Sequence, residues 1–392
     1  MVYSVSSSFV DEASKSFCRP IRYFFIGGSD YTERVTKWPR FKREAQDFKV
    51  SNLNMTMANH DGGLNDFYQN NYKFVTSAYV QLGFDYGGSE EVITLFTGSF
   101  SRVKYTKNQT SVYLRDKLYD FQNILIGSTD SPVDITSVLP SDLFWILTTC
   151  YGTLSDSEAI GNPDIDWSSF QDWAEVFSEN QVFVSANFQG VKISEAMSAL
   201  AKMTDSAIYA EGNGKIYTQR YTVTNTEFTV IGEDKTVSVE LDVLQKQLIN
   251  KQYVGFDYSV ESKYWQQTVL SQNSASVNSY GTYEDYLQNK NIWYVDSVSA
   301  FNVAQRLTTR YREPPKLWTV KSILAGVHMQ MGETIKFAND FYNQTSETGT
   351  RITGIEFDTH EGLITFTLDT SVQFNAFTLD VDSLDSTDRF LL

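Results

Sequence analysis

Cysteine is almost absent: Cys18 and Cys150 are the two in a chain of 392 residues. Two thiols exclude a disulfide scaffold and a Cys-rich metal cluster, which need more sulfur than that. Histidine is as scarce. His60, His328 and His360 sit in unrelated contexts without ligand spacing and read as loop or strand residues. No His-Glu-x-x-His, Gly-x-Ser-x-Gly or Walker loop is present. Gly212-Asn213-Gly214-Lys215 lacks the glycine spacing and the following Ser or Thr of a phosphate loop, and reads as a hairpin turn. Asp164-Ile165-Asp166 lacks the Gly and distal Glu of a calcium loop, and reads as plain loop. No catalytic, cofactor-binding or metal-ligating residue is therefore assigned, no cofactor is expected, and the chain reads as a non-enzyme.

Positive charge is in the minority, with 32 Lys and Arg against 48 Asp and Glu, a net charge of −16. Neutralising phosphates supplies most nucleic-acid affinity, so this balance excludes stable DNA binding. The cationic island is Arg34 to Lys49, with Trp38, Arg40, Phe41, Lys42 and Arg43. It reads as a protein-docking loop or a solvated face that pairs with a neighbouring subunit. Long apolar runs are missing too. The longest is Leu143 to Leu147, far below the ~20 residues of a membrane span. Met1 to Val10 has neither a basic start nor an apolar run. The expectation is a chain made in a cytoplasm, without signal peptide or stable membrane insertion.

Aromatic residues are plentiful, at 15% with 23 Tyr and 27 Phe. Aromatic side chains fit a pleated, half-buried surface, so the composition favours β structure. Met1 to residue 18 is Ser-rich and reads as a flexible N-terminal arm. Residues 19–125 read as a first small β-barrel, with strands at Ile21–Ile26, Phe48–Met55, Phe74–Phe84 and Val92–Phe96, then a hairpin closing on Ser111–Asp116. Phe100 is out of phase with Val103 and Tyr105, which marks a bulge. Residues 126–221 read as a helical and hairpin insert: helix over Asp134–Tyr151 with Leu139-Pro140-Ser141 as a break or a helix start, loop from Asn162, helix over Trp167–Phe177, helix over Lys192–Thr204, and a hairpin turning at Asn213-Gly214. Residues 222–370 read as a second β-barrel, and residues 371–392 as an acidic tail. The fold class is thus mainly β with α insertions, two similar small barrels joined by a helix-plus-hairpin region. A short repeat supports the pairing: Thr97-Gly98 and Thr353-Gly354 each open a hairpin, closing on Leu114-Arg115-Asp116 and Leu368-Asp369.

The second barrel contains the stretch with most pattern, Tyr280 to Phe337. Ser297 to Arg312 is helical, with Ser297 as N-cap and Val298, Phe301, Ala304 or Gln305, and Leu307 on one face. Glu313-Pro314-Pro315 ends it. A strand follows over Leu317–Ile323, then Gly332-Glu333-Thr334-Ile335 leads into Phe337. Tyr280-Gly281, a helix ending in Arg310-Tyr311, the proline break, the strand and this Gly-Glu-Thr-Ile resemble the tail-tip or baseplate hub proteins of tailed phages, whose fold is shared with the hub region of type VI secretion spikes. The resemblance implies a structural virion protein, most of all from a long non-contractile (siphovirus) tail. It implies a homotrimeric ring that adapts the sixfold tail tube to a threefold tip and forms part of the DNA ejection channel. Implied partners are the distal tail protein ring, the tape measure protein and a central spike or fibre module, with DNA only passing through. The implied location is the virion tail tip, after assembly in the host cytoplasm. The iron–sulfur cluster of some relatives is not carried over, because two cysteines cannot ligate it. Two other classes remain open on the residues: a receptor- or glycan-binding protein using its aromatics, and a cell-wall glycosidase, whose carboxylate pair is set by a spacing of about 5–10 Å in the fold rather than by sequence proximity.

Overall fold

Strands with alternating apolar residues outnumber helices along the chain, and they build three large sheets. The computed structural model describes residues 3–15, 18–45, 48–65, 76–154, 163–220, 222–223, 229–337, 339, 349–370 and 373–374. The expected acidic tail falls outside them except at 373–374, as do Phe74-Val75 of one expected strand and Asn162 of one expected loop. The chain is mainly β with helical insertions, as its composition implied.

The first β unit comprises β1 (Ile21–Ile26), β2 (Val35–Lys37), β3 (Asn52–Ala58), β4 (Ser77–Asp85), β5 (Glu90–Tyr105) and β6 (Gln109–Arg115). The second comprises β7 (Thr229–Ile231), β8 (Thr236–Val243), β9 (Lys316–Ile323), β10 (Thr334–Phe337), β11 (Gly349–Asp358) and β12 (Leu363–Asp369). Their topologies match strand for strand. The sheet orders are β1-β4-β5-β6-β3-β2 and β7-β10-β11-β12-β9-β8, with a short Ser29–Asp30 strand outside β1. Short 3-10 turns, Thr32–Arg34 and Glu233–Lys235, lead into β2 and β8. The units differ at their first strands: β1 runs antiparallel to β4, whereas β7 runs parallel to β10.

Bulges repeat with the topology. One lies between Phe100 and Arg102, where the phase of Phe100 placed it, and its counterpart lies between Ile352 and Gly354. In each, the extra residue's hydroxyl donates to the facing strand: Ser101 Oγ to Tyr113 O at 3.1 Å, Thr353 Oγ1 to Thr367 O at 3.2 Å. A second pair sits between Val35 and Lys37 and between Thr236 and Ser238. The repeat is therefore real in space, but its register differs from the expected one. Ser101, not Thr97, corresponds to Thr353; the closing Leu114 and Leu368 do correspond. A bulge constrains spacing from the closing leucine, whereas Thr-Gly is common hairpin vocabulary.

The two sheets share one core. Ala78, Val80, Leu82 and Phe84 of β4 are buried with Ile352, Ile355 and Phe357 of β11 and Ile364, Phe366 and Leu368 of β12. Among the described residues strand pairing closes neither sheet into a ring. The N-terminal segment joins this core. Ser7–Ala13 is a helix, capped by Ser6, with Phe9 packed edge-on to Phe84 at 5.0 Å. Apolar residues spaced four apart, Phe9 and Ala13, anchor what its serines made look like a free arm.

A second core lies under the third sheet, whose strands run Val133–Val138, Val184–Phe188, Ile292–Tyr294, Lys251–Ser259 and Tyr264–Gln272, with Glu284–Leu287 beside Lys251–Ser259. Its strands come from two places: the stretch between the β units and the connection from β8 to β9. Helices Trp167–Glu179, Ile193–Met203 and Ser297–Arg310 pack there. Over Asp134–Tyr151 the stretch before the proline is a strand to Val138 rather than helix, and of the two readings of Leu139-Pro140-Ser141 the helix start holds, because Pro140 takes the first helical position without losing a bond. Helix Ser297–Arg310 is capped by Asp296, not Ser297: Asp296 Oδ1 accepts the Ser299 N–H at 2.8 Å. Its buried face is Ala300, Val303, Ala304 and Leu307, so Val298 and Phe301 point outward.

Buried charge fixes that helix. Arg306 Nε donates to Asp205 Oδ2 at 2.9 Å, Arg310 pairs with Asp205 Oδ1, and Arg310 reaches Asp369 of β12 at 3.2 Å. Burial alone would push the Asp205 carboxyl up; Arg310 and Arg306 overcome it and hold the group below its ordinary range. Asp205→Ala takes the paired carboxylate from Arg306 and leaves Arg310 with Asp369. The expected cost is ~3–5 kcal/mol, read as a lower urea midpoint. A midpoint equal to the wild type's would show that the triad does not hold the helix.

Candidate functional site: the joint between the two β units

The cationic island of the sequence becomes the link between the two sheets. Trp38-Pro39 ends β2, since proline has no N–H to give its own sheet. The chain resumes as a crossing strand, Arg40–Glu44, paired antiparallel to β11 of the second unit from Gly354↔Glu44 to Asp358↔Arg40. Ala45 N–H to Thr353 O at 2.8 Å and Thr359 Oγ1 to Pro39 O at 2.6 Å close the two ends.

The period of two decides where each side chain goes. Phe41, Arg43 and Ala45 point inward and are buried. Phe41 stacks on Phe357 of the second unit at 5.2 Å and meets Phe96 of the first edge-on at 5.6 Å. Arg40 and Lys42 point outward, Arg40 pairing with Glu356 and Lys42 with Glu44 at 2.6 Å. Arg34 makes a two-pronged pair with Asp61 at 2.8 and 3.0 Å. Lys49 pairs with Glu44. These cations are thus engaged within the chain, and the neighbour that the island docks on is the chain's own second unit.

Arg43 is the inward charge, 1% exposed. It pairs with Glu211, at the tip of the hairpin Ser206–Ala210/Ile216–Arg220. Glu211 also accepts the backbone N–H of Met331 at 2.9 Å and of Gly212 at 3.0 Å. The tip sits hard against the first sheet: Thr97 Oγ1 donates to Gly212 O at 2.7 Å, and a Cβ at Gly212 would lie 2.2 Å from Thr94 O. Gly214, at φ +82, makes the turn. Tyr3 OH donates to Thr94 O at 2.8 Å, and burial pushes its phenol up to about 12. Tyr209 OH donates to Met331 O at 2.9 Å, and Arg351 Nη2 donates to Gln219 Oε1 at 3.2 Å. Burial outweighed by Glu211 and Tyr3 leaves Arg43 raised, and burial alone lowers nearby His328.

This arrangement holds surfaces together, Glu211 accepting from Arg43 and from the backbone N–H groups of Met331 and Gly212. His60 and His360 lie exposed in turns, and His328 is buried. Among the described residues no group of three His, Cys, Asp or Glu is placed to hold a metal ion. Asp166 caps helix Trp167–Glu179 through the Ser169 N–H at 3.0 Å, which accounts for the Asp-Ile-Asp motif. A groove of about 600 Å³ runs between β3 and helix Ile193–Met203, with Lys49, Arg115 and Lys202 facing the one carboxylate of its lining, Glu195. A second, of about 540 Å³, lies by helix Ser7–Ala13 with Asp11, Lys235 and His328. Neither is lined by the two carboxylates that glycoside hydrolysis needs. The Arg43–Glu211 pair, 168 residues apart, had no signature beyond a charge in the inward phase of Phe41-x-Arg43-x-Ala45.

Glu211→Gln keeps the shape and removes the charge that Arg43 faces. The expected loss is ~3–5 kcal/mol in chemical denaturation, largely recovered by adding Arg43→Met. A single variant as stable as the wild type would show that Arg43 does not depend on this carboxylate.

No protein-family model and no curated protein matches the sequence. Solved structures do. The 43 kDa tail protein of prophage MuSo2 from Shewanella oneidensis aligns with a TM-score of 0.52 at 14% identity, over 88% of this chain and 97% of that one. The tail protein from Neisseria meningitidis MC58 aligns with a TM-score of 0.52 at 10% identity, over 89% and 96%. At such identities the likeness is one of fold, and the chain has the fold of these tail proteins.

Proposed function

We propose that the chain is a structural protein of a phage tail tip, the hub of a long non-contractile tail, working as a homotrimer. The observation that carries the reading is the duplication: one chain supplies two β units of the same topology, locked by the strand Arg40–Glu44 and the pair Arg43–Glu211. Three such chains place six similar units around a threefold axis. Such a ring meets a sixfold tube on one side and a threefold spike or fibre module on the other. The fold shared with two tail proteins supports the same reading. The distal tail protein ring and the tape measure protein are the partners this position implies.

The net charge of −16 fits a ring that DNA crosses without sticking, since an acidic surface repels a polyanion. The role is mechanical rather than catalytic, in keeping with a joint whose carboxylates serve guanidiniums and backbone N–H groups. In this reading the protein resides in the virion, at the tail tip, and is assembled in the host cytoplasm.

Native mass spectrometry of the purified protein tests it. Three chains of 44.6 kDa give about 134 kDa. A stable dimer would overturn the threefold adapter.

A further inference from the structure

The third sheet has one face on the second core and one turned away from it. The period of two assigns the residues. In Lys251–Ser259, Val254 and Phe256 are buried in the second core, so Tyr253 and Gly255 lie on the other face. Their partners lie with them: Leu270 and Thr268 in Tyr264–Gln272, and Tyr286 in Glu284–Leu287. Trp293 stands on this outer face as well, between the buried Ile292 and Tyr294.

Five rings collect there. Tyr253 and Tyr286 stack at 4.6 Å with their planes 6° apart, and Tyr286 is 59% exposed. Beyond Gly255 the alternation is broken. Asp257 has φ +54, a left-handed conformation that strains any residue but glycine and that clusters at functional sites. Unbroken alternation would turn Tyr258 and its partner Trp265 inward with Phe256. Instead the Trp265 indole lies on the open side of Gly255, where a Cβ would stand 2.8 Å from its Cδ2 and Cε3. Tyr258 follows it, 4.9 Å from Trp265 and 5.4 Å from Trp293. Strain at Asp257 and the missing Cβ at Gly255 thus keep two rings at the surface, half-buried, that could have joined the core.

The polar groups around the rings are mostly hydroxyls and amides. Thr268 and Gln288 flank Gly255, both exposed, and Ser185 lies beside Trp293. Among the described residues, strand pairing places one cation on this face, Lys251, and Glu284 neutralises it at 3.4 Å. A polyanion finds no counter-charge here, so charge complementarity selects a neutral ligand. A pyranose ring has what the face can take. Its C–H side, slightly positive, meets the negative face of an indole or phenol, and its hydroxyls meet amides, hydroxyls and a carboxylate.

We propose that the outer face of the third sheet binds a neutral oligosaccharide, with pyranose rings stacked on Trp265 and on Tyr286 and hydroxyls taken by Asp257, Thr268 and Gln288. This goes beyond the hub reading and does not depend on it.

The test uses the full chain and an array of neutral hexose, deoxyhexose and N-acetylhexosamine oligosaccharides, with isothermal titration and tryptophan fluorescence on those retained. At least one neutral oligosaccharide binds saturably and changes the emission. Trp265→Ala weakens its binding about tenfold, and Gly255→Ala weakens it too, because the new Cβ displaces the indole. Tyr286→Ser, at the exposed end, keeps the test decisive where either of these fails to fold. It lowers affinity while circular dichroism, melting temperature and native mass stay at the wild-type values. An array without a neutral ligand, retention of anionic polymers alone, or unchanged affinity in Tyr286→Ser overturns the proposal. A self-association that Tyr286→Ser abolishes gives the face to a second copy and overturns it as well. Native mass judges the threefold reading separately: a trimer that binds no oligosaccharide overturns the sugar site alone, and a dimer that binds one overturns the adapter alone.

Discussion

A guanidinium shut away from water must face a carboxylate, and Arg43 finds its partner in Glu211, 168 residues along the chain. Much of the structure is arranged so that this meeting happens. The crossing strand must leave the first sheet to bring Arg43 inward, and Pro39 makes it leave. The hairpin Ser206–Arg220 must reach between the sheets to bring Glu211, and Gly212 lets its backbone approach Thr94. Phe41 then fills the space between Phe96 and Phe357, so one side chain belongs to the cores of both units. A dissolved joint would leave a buried charge unmatched and two apolar faces uncovered. The two units are therefore held as one body.

The duplication gives that joint its wider meaning. Two units with the same strand order, the same paired bulges and the same hydroxyl bond across the bulges at Ser101 and Thr353 are copies of one design. The region between and within the units, with its own sheet and the Asp205 triad, is tied back to β12 through Arg310 and Asp369.

Local signals were legible where a local rule decides the structure. The helix Ile193–Met203, the turn at Gly214, the strand Lys251–Ser259 and the bulge at Phe100 follow from period, glycine and phase. Errors arose where two local readings compete. Ser297 and Asp296 are both good caps, and Asp296 takes the role because its carboxylate reaches the Ser299 N–H. Val298 and Phe301 share a spacing with Ala300 and Val303, and the small residues win the buried face because they let the helix approach its sheet. The site itself was barely legible. Arg40–Glu44 pairs with residues more than 300 positions away, and backbone pairing at that range leaves no trace in spacing. The same stretch was visible as cations and aromatics, but which partner they serve is a property of the fold.

The account's central claim is that one chain contributes two equivalent units to a closed ring. Electron microscopy of the purified oligomer, viewed down its symmetry axis, tests it most directly. The account predicts a ring of six similar β units with threefold symmetry in the density outside it. A ring in which three units line the centre and the other three lie peripheral to them would contradict it.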